Sequence, residues 1–250
     1  MAALISANLN IFLAFIPPVL WLLFYLREDR HPEPKLLLLL TFAGGMASAF
    51  LAMAAELFAL GKNGIAMGLV GMATTPFLFF LVIGLVEEYA KYLPVKFLVV
   101  NKSDFDEPVD AMIYMMTAAL GFAAMENALF ILPFFFGVVQ DIISVLPLTQ
   151  ENLLLSLDVT ANRFLGANLL HALSSGIVGF FLARAWFHPR RHHFVAIGIL
   201  TATLLHALFN YLILTREVLA QGTFYIILLL SVMAVMVFID FERLKKAKTT

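Results

Sequence analysis

Residues 76–99 read PFLFFLVIGLVEEYAKYLPVKFLV, an apolar run interrupted near its middle by two glutamates and a lysine. An α-helix needs about 20 apolar residues to cross the hydrocarbon core of a bilayer. Ionisable side chains inside such a span cost about 2.5–3.5 kcal/mol each on insertion scales, so they indicate a function or a buried partner. The stretch therefore predicts a membrane helix that carries Glu87, Glu88 and Lys91 inside it.

The composition of the whole chain agrees with this interpretation. Of the 250 residues, 62% are hydrophobic and 13% are charged, whereas soluble domains have about 45–50% and about 25%. A soluble enzyme is therefore not expected, and a net charge of −1 gives no basic field that would attract nucleic acid. The chain has no cysteine, which excludes disulfides, thiolate metal sites and a cysteine nucleophile.

Seven apolar stretches have the length of a membrane span. They are residues 9–26, 37–60, 76–99, 109–136, 164–187, 194–214 and 224–241. We therefore expect an all-α, polytopic membrane helix bundle with about seven transmembrane helices, forming one domain over residues 1–250. Residues 137–162 mix acidic and apolar side chains, and they predict either one or two helices on the membrane surface or a mobile loop.

The basic residues predict the orientation. All but three of the 16 Lys and Arg residues fall on one side of these spans, and the exceptions are Lys62, Arg163 and Arg216. Because basic loops remain in the cytoplasm, we expect the N-terminus outside and the C-terminal tail inside. The protein is thus expected to be a multi-pass protein of the cell membrane, with the lipid bilayer as its surroundings.

Four consecutive spans contribute polar side chains of the kinds used in catalysis. In span order they are Glu87, Glu88 and Lys91; Glu126 and Asn127; Asn168 and His171; and His206 and Asn210. At 1.5 Å per residue, the glutamates at 87 and 126 and both histidines lie roughly 11–16 Å from the outer ends of their spans. This agreement predicts one polar pocket, near the membrane midplane or somewhat outside it.

Local spacing suggests how the work is divided among these residues. Lys91 is i,i+4 to Glu87, which favours it as a counter-ion for the acidic pair. Glu88 points about 100° away from Glu87, so the two carboxylates need not do the same job. Taken singly, each feature also has a structural interpretation, since membrane asparagines such as Asn168 often join helices, and adjacent serines at 174 and 175 indicate close packing.

Carboxylates and imidazoles without a thiol suit the activation of water. Histidine can also stabilise an oxyanion or bind a metal ion. The sequence has no His-Glu-x-x-His motif and no Gly-x-Ser-x-Gly motif, so zincin-type and serine-hydrolase chemistry fit less well. The same buried Glu and His residues are compatible with a proton- or cation-coupled transporter, although no internal repeat supports one, and with a non-catalytic membrane scaffold.

The order of the motifs resembles the PrsW family of membrane proteases. The resemblance covers about residues 70–215. It rests on Glu87-Glu88-x-x-Lys91, Asp106-Glu107-Pro108-Val109-Asp110, Gly121-Phe122-Ala123-x-x-Glu126-Asn127, His171 and His206-x-x-x-Asn210. The family is similar, more distantly, to the CAAX prenyl proteases, which have Arg after the Glu-Glu pair and His where this chain has Glu126.

The resemblance implies an endopeptidase that cuts a single-span membrane protein, such as an anti-sigma factor, on the outer side of the membrane. By analogy, Glu87 would be the general base, Glu88 would orient or relay, and His171 would share in activating water or polarise the carbonyl. His206 and Asn210 would stabilise the oxyanion.

Glu126 would be a second acid or a metal ligand. If zinc is present, Glu126, His171 and His206 could form a three-ligand site with an open position. A metal-free mechanism is the alternative, with Lys91, Asn127, Asn168 and Asn210 as supporting residues in either case.

Overall fold

The computed structural model describes residues 2–69, 76–131, 163–186 and 191–247, which include seven α-helices. The helices are α1 (Ala2–Tyr25), α2 (Lys35–Leu69), α3 (Pro76–Leu98), α4 (Asp110–Ile131), α5 (Ala167–Trp186), α6 (Arg191–Thr215) and α7 (Gly222–Leu244). A 3-10 turn, Leu26–Glu28, follows α1, and the described residues contain no strand. The prediction of an all-α fold is confirmed, while the segment 137–162 lies outside the described residues.

Each predicted span overlaps one of these helices. Five helical segments are long and apolar enough to cross a membrane: Lys35–Gly61, Asp110–Leu129, Arg163–Ala185, His192–Thr215 and Gly222–Leu244. Helices α1 and α3 are not among these five segments, and α3 carries the charged Glu87, Glu88 and Lys91. Crossing of the bilayer by all seven helices, and the orientation of the termini, therefore stay predictions.

Helix α2 continues past the predicted end at residue 60, but it changes direction there. Gly61 has φ 66° and ψ 169°, a left-handed conformation that glycine adopts without steric strain. The straight part of α2 therefore ends close to the predicted boundary.

Helix α4 lies at the centre of the bundle. Every side chain from residue 108 to residue 124 is buried, and α4 packs against α1, α2, α3 and α5. A helix that is apolar all round is expected in such a position. Glu126 and Asn127 follow directly, so α4 carries its polar residues just beyond the most tightly packed part of the protein.

Helices α2 and α4 approach so closely that their backbones touch. A Cβ atom at Gly45 would collide with the carbonyl oxygen of Ala118, and one at Gly121 would collide with the carbonyl oxygen of Phe42. The contact requires small residues, which allow helix axes to come this near. It also fixes the position of α4 relative to α2.

The loop between α1 and α2 is fastened to the start of α4. The Asp110 carboxylate holds the preceding turn against the first residues of this helix by accepting hydrogen bonds from the backbone N–H groups of Asp106 at 2.9 Å and Glu107 at 2.7 Å. Glu33 in the loop accepts a hydrogen bond of 2.5 Å from the Tyr114 hydroxyl. These contacts join three segments at the end of the bundle predicted to face the cytoplasm.

This connection predicts a pH-dependent stability. Burial, reinforced by the nearby Asp110 carboxylate, raises the pKa of Glu33 from its ordinary value of 4.5 to about 8. The folded protein then holds a proton that the unfolded chain has released, so stability is expected to fall as the pH rises between these two values. The replacement Glu33→Gln keeps a hydrogen-bond acceptor for Tyr114, but the glutamine side chain cannot ionise. The stability of this variant should therefore depend less on pH in the same interval.

Thermal unfolding in detergent, measured from about pH 4 to about pH 9, tests this expectation. The wild-type midpoint should drop more over this interval than that of Glu33→Gln. An equal drop in both proteins would contradict the assignment to Glu33.

Candidate active site

Lys91 lies at the centre of the polar site, with its side chain fully buried. Its Nζ atom donates hydrogen bonds to Glu88 Oε1 at 2.9 Å and His171 Nδ1 at 2.7 Å, and more weakly to Glu87 Oε2 at 3.5 Å. The ammonium also lies 4.8 Å from the centre of the Phe122 ring, a favourable cation–π distance. Lys91 therefore places one positive charge between the two carboxylates of α3 and links α3 to α5.

Glu88 is the most completely bound carboxylate of the site. Besides Lys91, it accepts hydrogen bonds from Ser174 Oγ at 2.9 Å, Ser175 Oγ at 3.3 Å and His206 Nδ1 at 2.8 Å. Charged groups remain in low-dielectric surroundings only when they are paired and hydrogen-bonded. Four donors from three helices meet this requirement for Glu88 and hold α3, α5 and α6 together.

The bond from His206 to Glu88 determines which nitrogen of this histidine is free. Because Nδ1–H donates to Glu88, Nε2 carries the lone pair, and it lies 3.6 Å from Glu87 Oε2. His171 approaches the same oxygen through Nδ1, at 3.9 Å, and the two imidazole centres are 5.3 Å apart. One ligand atom from each of Glu87, His171 and His206 lies within 4.8 Å of the others, and all three residues are buried.

This Glu/His/His group could hold a metal ion. Two imidazoles and one carboxylate are a ligand set of catalytic zinc sites. His206 also has a carboxylate bound to its other nitrogen, the usual support for a metal-binding histidine. A metal ion on Nδ1 of His171 would take the lone pair that now accepts the Lys91 hydrogen bond.

Glu126 lies on the side of the His171 ring opposite Lys91. Its Oε2 atom accepts a hydrogen bond from His171 Nε2 at 2.8 Å and forms an ion pair with Arg163 Nη2 at 3.0 Å. The zinc ligands expected from the resemblance combined Glu126 with the two histidines. In the structure, the residue grouped with His171 and His206 is instead Glu87.

Two of the three predicted supporting asparagines, Asn127 and Asn168, lie beside Glu126 and contact each other. Asn127 Nδ2 donates to Asn168 Oδ1 at 3.0 Å and to the Ala14 carbonyl oxygen at 3.1 Å, while Asn127 Oδ1 accepts a hydrogen bond from Arg163 Nε. Asn168 Nδ2 donates to the Arg163 carbonyl oxygen at 2.8 Å. This network joins α1, α4 and α5 around Arg163.

Asn210 is half-buried on α6, one helical turn beyond His206. Its side chain makes no hydrogen bond to another residue in the part of the chain that the structure describes. The structure thus brings together eight of the nine predicted site residues, and Asn210 lies next to them without joining their network.

Four residues in or next to the site were not identified from the sequence. Ser174 and Ser175 were attributed to packing, although they lie three and four residues after His171 and hence on its helix face. Arg163 entered the sequence analysis only as one of the three basic residues on the predicted outer side of the membrane. Glu56 lies near the end of its predicted span, yet it interacts electrostatically with Glu126 and Lys91.

The charges of the described site do not balance. If Glu56, Glu87, Glu88 and Glu126 are all ionised, Lys91 and Arg163 leave an excess of two negative charges. Uncompensated charge is unfavourable away from water. A divalent cation on Glu87, His171 and His206 would remove this excess, as would protons on two of the carboxylates.

Comparison with known proteins identifies the family. A family profile described as PrsW family intramembrane metalloprotease matches residues 33–238. A "Protease PrsW" of Geobacillus kaustophilus is 30% identical over 196 residues, covering 78% of this chain and 74% of the relative. Proteins of the same name from Clostridioides difficile and Bacillus subtilis are 27% and 26% identical, covering 96% and 90% of this chain and 92% and 87% of the relatives.

No solved structure shows significant similarity to this fold. The family profile nevertheless covers most of the chain and includes every residue of the Glu/His/His group and its supporting network except Ala14. The chain therefore belongs to the PrsW family of intramembrane metalloproteases, and it is a membrane-embedded hydrolase.

Proposed function

We propose that this protease cleaves a single-span membrane protein, such as an anti-sigma factor, and that it does so at the cell membrane. The observation that carries the proposal is the buried group of Glu87, His171 and His206, supported by the carboxylates of Glu88 and Glu126. Family membership favours this function over the transporter and the scaffold. Because the group lies in the half of the bundle predicted to face outward, we expect the cut near the outer end of the substrate's span.

We propose that Glu87, His171 and His206 hold the metal ion and that it is zinc, since this donor set suits zinc. When bound, such an ion polarises a carbonyl group and makes a bound water more acidic. The supporting carboxylates fix the histidines: Glu88 holds the Nδ1–H of His206, and Glu126 holds the Nε2–H of His171. Both rings are thereby oriented before a substrate arrives.

Glu87 is the carboxylate best suited to move the proton of the attacking water. Its Oε2 atom faces Lys91 and both histidines, which leaves Oε1 as the acceptor. As the peptide bond breaks, the same carboxylic acid can deliver the proton to the leaving amine. Asn210 is the proposed donor to the oxyanion, because its amide is near His206 and is not bonded to another described residue.

Metal content and cleavage, measured on the same purified protein, test this proposal. We expect about one zinc per chain, a large loss of zinc in His206→Asn, and cleavage of single-span test substrates that stops with chelator and returns with zinc. Mass spectrometry of the products locates the cut. Glu217→Gln, which changes an exposed residue between α6 and α7, is the control. Cleavage that persists without bound metal would contradict the metal assignment.

A further inference from the structure

Glu56 lies on the face of α2 that packs against α3 and α4. It follows Ala52 by four residues and Ala49 by seven, a spacing that places all three on one side of a helix. Ala49 and Ala52 are buried in a small apolar cluster with Ala90 of α3 and Phe122 of α4. The Glu56 side chain therefore lies one helical turn beyond this cluster, in the direction of Gly61.

Two residues of the site lie one turn beyond the same cluster. Glu87 precedes Ala90 by three residues on α3, and Glu126 follows Phe122 by four on α4. The three glutamates thus form one layer above the apolar cluster. Their proximity has an electrostatic consequence, because the charge of Glu56 acts on Glu87 and is itself affected by Glu126 and Lys91.

Glu56 differs from the other carboxylates of this layer in having no assigned partner. Glu87 contacts Lys91, and Glu126 contacts His171 and Arg163. Glu56 forms no hydrogen bond or ion pair with any residue that the structure describes. It is half-buried, and the neighbouring Phe58 is 94% exposed on the outer surface of α2. Glu56 therefore lies between the site and the apolar surface of the protein.

The cations of the site are already engaged. Lys91 donates to Glu88 and His171, and Arg163 to Glu126 and Asn127. Among the described residues, the group that could hold a metal ion does not include Glu56. Lys91 and Arg163 thus have partners other than Glu56.

We propose that Glu56 is a specificity-determining residue that binds a lysine or arginine side chain of the substrate next to the bond that is cut. The inference rests on the proposed peptidase function. A partly desolvated carboxylate forms stronger hydrogen bonds with a charged donor than with a neutral one. A basic substrate residue would also offset the repulsion that Glu56 experiences from Glu87 and Glu126.

A set of single-span model substrates tests this inference. The substrates differ at one position, which carries lysine, glutamine or glutamate and is moved residue by residue along the outer end of the span. At one position the wild-type protein should have a KM for lysine that is about tenfold or more below that for glutamine. Glu56→Gln should lose this preference with little change in kcat for the glutamine substrate, and Glu56→Lys should favour glutamate.

Glu217→Gln, which removes one exposed carboxylate on the same predicted side, should keep the wild-type preference. Two results would overturn the inference. One is an unchanged lysine preference in Glu56→Gln. The other is an equal loss of kcat for all three substrates, which would place Glu56 in the chemistry rather than in recognition.

Binding measurements separate this inference from the proposed function. The same substrates are titrated against Glu87→Gln and against the double variant Glu56→Gln/Glu87→Gln. Their binding can be measured without any cleavage of the substrate. The role of Glu56 is supported if Glu87→Gln binds the lysine substrate more tightly than the glutamine substrate and the double variant does not. This holds even if the wild-type protein cleaves none of the substrates. Equal binding of lysine and glutamine substrates by Glu87→Gln refutes it, even if the wild-type protein cleaves them all.

Discussion

Replacing Glu87 with glutamine is expected to lower kcat/KM for a single-span test substrate by at least about a thousandfold. Glutamine has nearly the same size but cannot take a proton from water, and it is a much poorer metal ligand. The fold should persist, because the contacts of Glu87 with Lys91, His206 and His171 are all long, at 3.5–3.9 Å, while Glu88 keeps its short hydrogen bonds. The measurement is cleavage of the test substrate by the purified variant in detergent or lipid. Thermal unfolding shows whether the variant is folded.

Glu88→Gln provides the informative comparison for this variant. Glu88 holds His206 and Lys91 but does not belong to the group that could hold the metal, so its loss should reduce both activity and stability. Glu87→Gln should reduce activity alone. Wild-type cleavage by Glu87→Gln would end the proposed mechanism.

The largest effect on stability is expected from Lys91→Met. Methionine fills similar space but leaves Glu88 and Glu87 without their cation, and Lys91 is fully buried. Removing one partner of a buried ion pair costs about 3–5 kcal/mol. The unfolding midpoint of the variant in detergent should therefore drop well below that of the wild-type protein.

A double replacement checks the cause. In Lys91→Met/Glu88→Gln the uncompensated charge is removed together with the lysine, so part of the lost stability should return. If the double variant is as unstable as the sum of the two single variants, the ion pair does not account for the effect. An unfolding midpoint for Lys91→Met close to that of the wild-type protein would contradict the prediction directly.

The sequence was sufficient to predict the helical membrane fold and the position along each helix at which the site residues lie. Apolar runs of about 20 residues indicate helices regardless of what surrounds them, and Glu87, Glu126, His171 and His206 lie at similar depths by simple arithmetic. The i,i+4 spacing also predicted the contact between Glu87 and Lys91, which the structure contains.

Depth along a helix does not determine which way a side chain points relative to other helices. For this reason the sequence did not distinguish Glu87 from Glu126 as the carboxylate grouped with the two histidines. The contact between Arg163 and Glu126 joins residues far apart in the chain, and no local spacing predicts such a pair. Glu56 illustrates the same limit, because its place depends on how α2 packs against α3 and α4.

The backbone contact at Gly45 and Gly121 restricts how a substrate can reach the site. A transmembrane helix is about 10 Å wide with its side chains, so it cannot slide between α2 and α4 while these glycines remain in contact with Ala118 and Phe42. Sideways entry through this seam is closed. A polypeptide must instead arrive through a different seam or from an end of the bundle.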